Sequence, residues 1–175
     1  LYRLENIRLA PFNWEQAQVY LEWVNQEETA HWLTRALPVT ASEHQRWYES
    51  LVSRQDAVVF SIIENQTGAY LGNVWLWGVH PVHRSAELRI LMGPQAKGKG
   101  YGTEACRGLL RFAFNELNLN KVFLYVLAHN SAAVRTFEKS GFSPEGVLQQ
   151  EFFVAGKYQD ALRMAAFRPQ ANCRT

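Results

Sequence analysis

The sequence predicts one α/β domain, a central mixed sheet flanked by helices, and three observations carry that reading. Short β-branched and aromatic runs at 58–64, 70–79 and 121–127 have the length and composition of strands. A helical period, Cys106, Leu109, Leu110, Ala113 and Leu117, follows a further strand, Leu88 to Leu91, across a glycine-rich loop. Strand, loop, helix and next strand together form a βαβ crossover, right-handed by default. The 175 residues are 47% apolar, enough for one core and one domain over 1–175.

Alternating apolar residues over 4–10 predict an edge strand, which Pro11-Phe12-Asn13 ends. Asn13 can cap a helix from Trp14 to about Val24. A second helix is expected after Thr40, with Ser42 as its cap, Gln45 three residues on as in a capping box, and Trp47, Tyr48 and Leu51 along it. The stretch 25–39 between them carries His31, Trp32 and Arg35, which either line a pocket or pack between helices. Residues 58–64 form a buried strand, and Asn65-Gln66-Thr67-Gly68 a hairpin turn. The chain returns over 70–79 with Leu71, Asn73, Trp75 and Trp77 on one face. A loop, 80–85, leads to the central strand, where Leu88, Ile90 and Leu91 are followed by the stop Gly93-Pro94. Beyond the loop and helix, 121–127 is nearly continuously apolar, as expected of a strand covered on both faces. Asn130-Ser131 caps a short helix over 132–139, and Gly141 fits the left-handed position after it. Segments 142–148 and 151–164 are the last two strands.

The chain is organised around Lys97-Gly98-Lys99-Gly100-Tyr101-Gly102. Glycines here uncover backbone N–H groups just where a helix begins, and the helix end adds partial positive charge. Phosphate suits such a construction, and Lys97, Lys99 and Arg107 raise the local positive potential. Three phosphate loops compete for the stretch. A nucleoside-triphosphate loop needs Gly-Lys-Ser/Thr, but Gly100 follows Gly98-Lys99, so no hydroxyl is placed for magnesium. A dinucleotide fingerprint needs Gly-x-Gly-x-x-Gly near the start of a βαβ unit, but Gly98-x-Gly100-x-Gly102 is spaced differently and lies mid-chain. The third is a coenzyme A loop, Gln/Arg-x-x-Gly-x-Gly/Ala after a strand, with Lys97 in the first place here.

Composition excludes several classes. A net charge of +2 is too small to point to nucleic acid or an anionic membrane. No apolar run reaches the roughly 18 residues of a membrane span. No signal peptide is recognised, although the chain starts at Leu1 without Met, so its true N-terminus can lie upstream; a cytoplasmic location is the default expectation. Cys106 lies on the apolar helix face, as a core residue would, and Cys173 is far away, so no disulfide framework is expected. The five His lack ligand spacing, and no metal site is expected.

The run GKGYGTEA, with Lys97-x-x-Gly100-x-Gly102, resembles the acetyl-CoA loop of the Gcn5-related N-acetyltransferase (GNAT) superfamily. The order of elements is similar to that fold along nearly the whole chain. HPVHRSAELRI, FNELNLNKVFLYV and HNSAAVRTFEKSGFSPEGVLQQEFFVAGKYQDALRM resemble the branch holding spermidine N-acetyltransferases and ribosomal-protein N-terminal acetyltransferases. RLAPF, EWVNQEE and HQRWYESL fit that branch more loosely.

The resemblance implies acetyl transfer from acetyl-CoA, with no metal, to a primary amine that attacks the thioester directly. It implies that backbone groups of Arg89, Ile90 and Leu91 hold the pantetheine arm, one N–H polarising the thioester carbonyl. The amides of Ala96, Lys97, Gly98, Lys99, Gly100, Tyr101 and Gly102 would cradle the pyrophosphate, and Asn130 would cap its helix, touch pantetheine, or do both. A lysine-like amine, pKa ~10.4, is neutral only about once in a thousand at pH 7, a cost of roughly 4 kcal/mol; a peptide α-amine costs about 1.4 kcal/mol. The first needs a general base. Glu87 is the leading one, unless Arg84 or Arg89 pairs with it; Glu151 is the second, and His83 is a loop alternative. Many relatives place a tyrosine on the helix after the Asn-Ser cap, aimed at sulfur. Phe137 stands there, so water, Ser131 or another donor must serve, or the thiolate leaves unaided, and Phe137 would pack against pantetheine.

The acceptor stays open: a peptide N-terminal amine, a polyamine, or another small amine such as an amino sugar. Polyamine acetylation is not preferred, because Arg35 lies in the segment where that branch places acids and Trp77 takes a further acidic position. A non-catalytic acyl-CoA binding module is the alternative. The resemblance also implies a possible homo-oligomer.

Overall fold

The computed structural model describes residues 2–169, so Cys173 lies outside the described residues. One sheet runs through the described residues. Its strands are β1 (Tyr2–Arg3), β2 (Ile7–Pro11), β3 (Ala57–Glu64), β4 (Tyr70–His80), β5 (Ser85–Met92), β6 (Lys121–Leu127), β7 (Ser143–Val154) and β8 (Lys157–Phe167). The helices are α1 (Trp14–Val24), α2 (Glu27–Trp32), α3 (Ala41–Ser53), α4 (Tyr101–Asn115) and α5 (Ser131–Ser140), with a 3-10 turn at Pro94–Ala96. The spatial order is β1-β2-β3-β4-β5-β6-β8-β7. Neighbours are antiparallel except β5 and β6, the crossover that α4 makes.

Alternation along the strands divides the apolar residues between two layers. Val74, Leu76, Ala86, Leu88, Val122 and Leu124 face α4 and α5, where Leu109, Leu110 and Phe137 close the main core. Trp75 and Leu91 face the other way, onto Tyr20, Trp23 and Val24 of α1. Cys106 is buried in the main core, and burial pushes its thiol up to about 12, so it is inert packing.

Several local details differ from expectation. The first strand divides into β1 and β2, and β1, not β2, is the edge. Asn13 caps α1 with a capping box to Gln16, as expected. At α3 the cap is Thr40 with Glu43, not Ser42 with Gln45. Two hydroxyl residues, Thr40 and Ser42, satisfy the same motif two positions apart, and the sequence leaves the choice open. The stretch 25–39 contains α2, six residues too short for periodicity to show. Leu71 does not share a face with Trp75: the β3–β4 register shifts beside Gly72 and turns Leu71 into the main core. The turn between the last strands is at Ala155-Gly156, not near 150; the break expected there is a bulge where Gln150 takes φ 52°. Finally, β6 is not sealed on both faces, since Tyr125 is 37% exposed.

His44 is 2% exposed between α1 and α3, stacked on Tyr20 and Trp47, with Nε2 2.6 Å from the Ala17 carbonyl. Burial holds its pKa below the ordinary histidine value. The unfolded chain therefore binds the proton more readily, so the stability this neutral ring contributes is full above about pH 6.5 and falls as pH drops toward its folded pKa. Melting temperature should decline over that interval in the native sequence, and His44→Phe should flatten the decline. An equal slope in both would remove His44 as its origin.

Candidate active site

β5 and β6 pair only where Ser85, Ala86 and Glu87 meet Lys121, Val122 and Phe123. Beyond that point the strands part, leaving 88–92 and 124–127 without each other as partners. β5 still pairs with β4 and β6 with β8, so the result is a V-shaped gap in an otherwise continuous sheet. A strand's backbone groups alternate between its edges, so only every second residue of 88–92 turns its N–H and C=O into the gap. Arg89 and Leu91 share one edge and Ile90 the other, so these three cannot all hold one extended ligand through their main chains.

The glycine loop lies at the open end of the V. Gly100, at φ 82°, is the N-cap of α4, and Gly98 is at φ 75°. Among the described residues, the N–H groups from 97 to 103 have no acceptor; the first amide of α4 bonded back is that of Glu104, to Gly100. The expected cradle shifts by one residue, because the Ala96 amide is tied to the Gly93 carbonyl inside the 3-10 turn and Ala96 is buried. A Cβ built on Gly98 or Gly100 would meet nothing within 4 Å. The loop thus presents free donors and open space at a helix start, as a diphosphate requires. Glu104 does not compete, since it accepts from the Asn6 main-chain and side-chain nitrogens.

Around this loop the side chains divide. Lys97 Nζ lies 3.0 Å from Glu28 Oε1 of α2, an exposed pair worth little in itself. The Tyr101 hydroxyl donates to Glu64, whose carboxyl is held below the usual range by hydrogen bonds from Thr67 and Tyr101. Arg107 is not a loop cation: its guanidinium donates to the Lys139 carbonyl at the end of α5. On the far arm of the V, Asn130 Oδ1 accepts from the Ala133 amide, capping α5 as expected. Its Nδ2 has no acceptor among the described residues, which leaves that donor for a ligand. Phe137 is 7% exposed and packs edge-on against Phe142, inside the main core.

The two carboxylates expected to act as bases are not brought together. Glu87 is at the apex of the V, opposite Phe123. Both its oxygens are taken by Arg89, at 2.9 and 2.8 Å, so of its two suggested partners the structure selects Arg89 over Arg84. Glu151 is exposed in the bulge of β7, three strand positions from β5, roughly 14 Å across the sheet. His83 stacks on His80 in the β4–β5 hairpin, at the closed end of the gap. Sequence reasoning missed the span of α2. It reaches Lys97 on one arm through Glu28 and His129 on the other through His31 and Trp32. The pairing of Glu28 with a loop lysine crosses 69 residues and leaves no local trace. No group of His, Cys, Asp and Glu that could hold a metal ion occurs among the described residues. No helix among them is long and apolar enough to cross a membrane.

Comparison with known proteins bears on the family and the fold. The chain is 39% identical over 103 residues to spermidine N(1)-acetyltransferase of Vibrio cholerae, a match covering 59% of this chain and 60% of that enzyme. It is 33% identical over 93 residues to a putative ribosomal N-acetyltransferase of Bacillus subtilis, covering 53% and 51%. In sequence, therefore, the chain spans between half and three fifths of the length of these two relatives. In structure, spermidine N-acetyltransferase from Vibrio cholerae in complex with CoA and spermine superposes with a TM-score of 0.87 at 28% identity, covering 93% of this chain and 96% of that one. The dodecameric form of the same enzyme gives 0.81 at 29%, covering 93% and 94%. Residues 6–143 match the Acetyltransferase (GNAT) domain, and the chain belongs to that family.

Proposed function

We propose that the protein is an acetyl-CoA-dependent N-acetyltransferase whose acceptor is a small or peptide primary amine. The observation that carries the reading is the V between β5 and β6, with unpaired amides from 97 to 103 at its open end. Acetyl-CoA supplies the activated acetyl group. The amine nitrogen bonds the acetyl carbon, the carbon–sulfur bond breaks, and coenzyme A leaves as the thiol, with one net proton released from an ammonium acceptor. The loop amides and the α4 start bind the diphosphate, and Asn130 Nδ2 orients the arm. Glu87, at the apex, accepts the amine proton, with Arg89 fixing its carboxylate in place. A homo-oligomer belongs to the same reading, supported by the dodecameric neighbour.

The test is release of free coenzyme A across a panel of polyamines, amino sugars and N-terminal peptides. Glu87→Gln should lower kcat about a hundredfold, the usual scale for losing a general base, with acetyl-CoA affinity unchanged. Glu151→Gln should stay within about twofold of the parent in the same assay, since a base must reach the proton it takes. Phe137, which has no proton to give, favours a second reading: an acyl-CoA binding module without turnover. Tight coenzyme A binding with no release on any amine would establish it.

A further inference from the structure

The amine must approach the apex of the V from one side. On the α4 and α5 side, the main core fills the space above β5 and β6. On the other side, α1 covers Trp75 and Leu91, and Trp77, beside the apex, packs at the edge of that cluster. The face there carries Trp77, Glu87, Arg89, Phe123, Tyr125 and Arg163, brought to one side by register, with Arg89 and Tyr125 exposed and the other four half-buried. Glu87 is claimed by Arg89. Glu145 lies against both Lys121 and Arg163. Asp56 is paired with Arg54, whose guanidinium lies 3.8 Å above Trp77. Glu87, Glu145 and Asp56 are each therefore already paired with a cation.

Arg163 is the cation with capacity left. Its guanidinium lies 4.5 Å from the Phe123 ring and 5.7 Å from that of Tyr125, and Phe123 is the register partner of Glu87 at the apex. Nε lies 3.2 Å from Glu145 Oε2, but the N–H is not aimed at that oxygen and makes no hydrogen bond. The terminal nitrogens have no acceptor among the described residues. A planar fork held over an aromatic floor with its donors free is suited to a carboxylate in two-point contact.

Resting on the acetyltransferase reading, we propose that the acceptor is a primary amine that also carries a carboxylate, an amino acid or short peptide, and that Arg163 binds that carboxylate. A polycation is selected against at this face, where Glu87 and Glu145 are already paired and Arg89 and Arg163 stand beside them.

The test compares each amino acid with its own α-amide, and glycylglycine with its amide, against spermidine, all at saturating acetyl-CoA. The acid of the best pair should exceed its amide at least tenfold in kcat/KM, and spermidine should fall below both. A free amino acid and a dipeptide are separated by which pair shows the larger ratio. Arg163→Gln should raise KM for the acid about tenfold, leave kcat within twofold, and erase the difference between acid and amide. Arg163→Lys should restore part of it. Glu145→Gln, which removes the competing anion, should lower KM; a merely structural Arg163 would lose activity in both variants. Equal rates for acid and amide, or spermidine as the best acceptor, would overturn the proposal while leaving acetyl transfer intact. With no release on any amine, acetyl transfer itself fails, and equilibrium binding of the same pairs to the coenzyme A complex then decides: equal affinity for acid and amide sinks the carboxylate site.

Discussion

Gly100→Val should weaken acetyl-CoA binding about a hundredfold while leaving a folded protein, the loss expected if two charge-assisted hydrogen bonds of about 1.5 kcal/mol each are displaced. Two effects separate cleanly here. The residue sits at φ 82°, where an L side chain costs about 1–2 kcal/mol in the free protein. The space around its Cβ is empty, so no clash adds to that cost. A branched side chain would instead project in front of the open amides of 97–103, where the diphosphate has to lie. Calorimetric titration with coenzyme A reads the second effect and thermal unfolding the first. Gly98→Val, at φ 75° with equally open surroundings, should behave alike. Undiminished affinity in both variants would mean the diphosphate is held elsewhere.

Gly72→Ala should be the most destabilising single change in the sheet, at about 4 kcal/mol or more. The added methyl would stand 2.1 Å from the Leu91 carbonyl oxygen and 3.0 Å from the Met92 Cα, both backbone atoms that cannot swing aside. The glycine also holds φ 154° beside the β3–β4 register shift. For a domain of this size the melting temperature should fall by about 8–16 °C. Gly68→Ala is the control: φ 75°, no neighbour within 4 Å, and therefore strain alone, about 1–2 kcal/mol. Comparable melting points for the two variants would show that the close approach of β4 to β5 relaxes without cost.

These two glycines also show which parts of the molecule were legible in the sequence. Gly100 was visible because a phosphate loop is local: six consecutive residues, a strand before and a periodic helix after. The α5 cap at Asn130 and the left-handed Gly141 were legible for the same reason. Gly72 looked like any residue of an alternating strand, since its role depends on Leu91, nineteen positions away across a ladder. Glu87 was legible as a candidate, but its pairing with Arg89 was only one of two options until the strand fixed both on one face. The open floor of β6 was hidden for a different reason. An apolar run reads the same whether its second face is covered by a helix or left bare beside an arginine. The resemblance did show that Arg35 and Trp77 depart from the acidic positions of the polyamine branch; it could not show that Glu87, Glu145 and Asp56 were already paired.

The parting of β5 and β6 has a mechanical corollary. Three rungs join the two halves of the sheet, so the molecule resembles a clasp sprung open at one end. Whatever threads that opening as an extended chain splices the leaves together and becomes a temporary girder of the architecture. Occupancy should therefore register far from the chemistry, as slower amide exchange along both lips of the clasp and a melting point that climbs with ligand concentration.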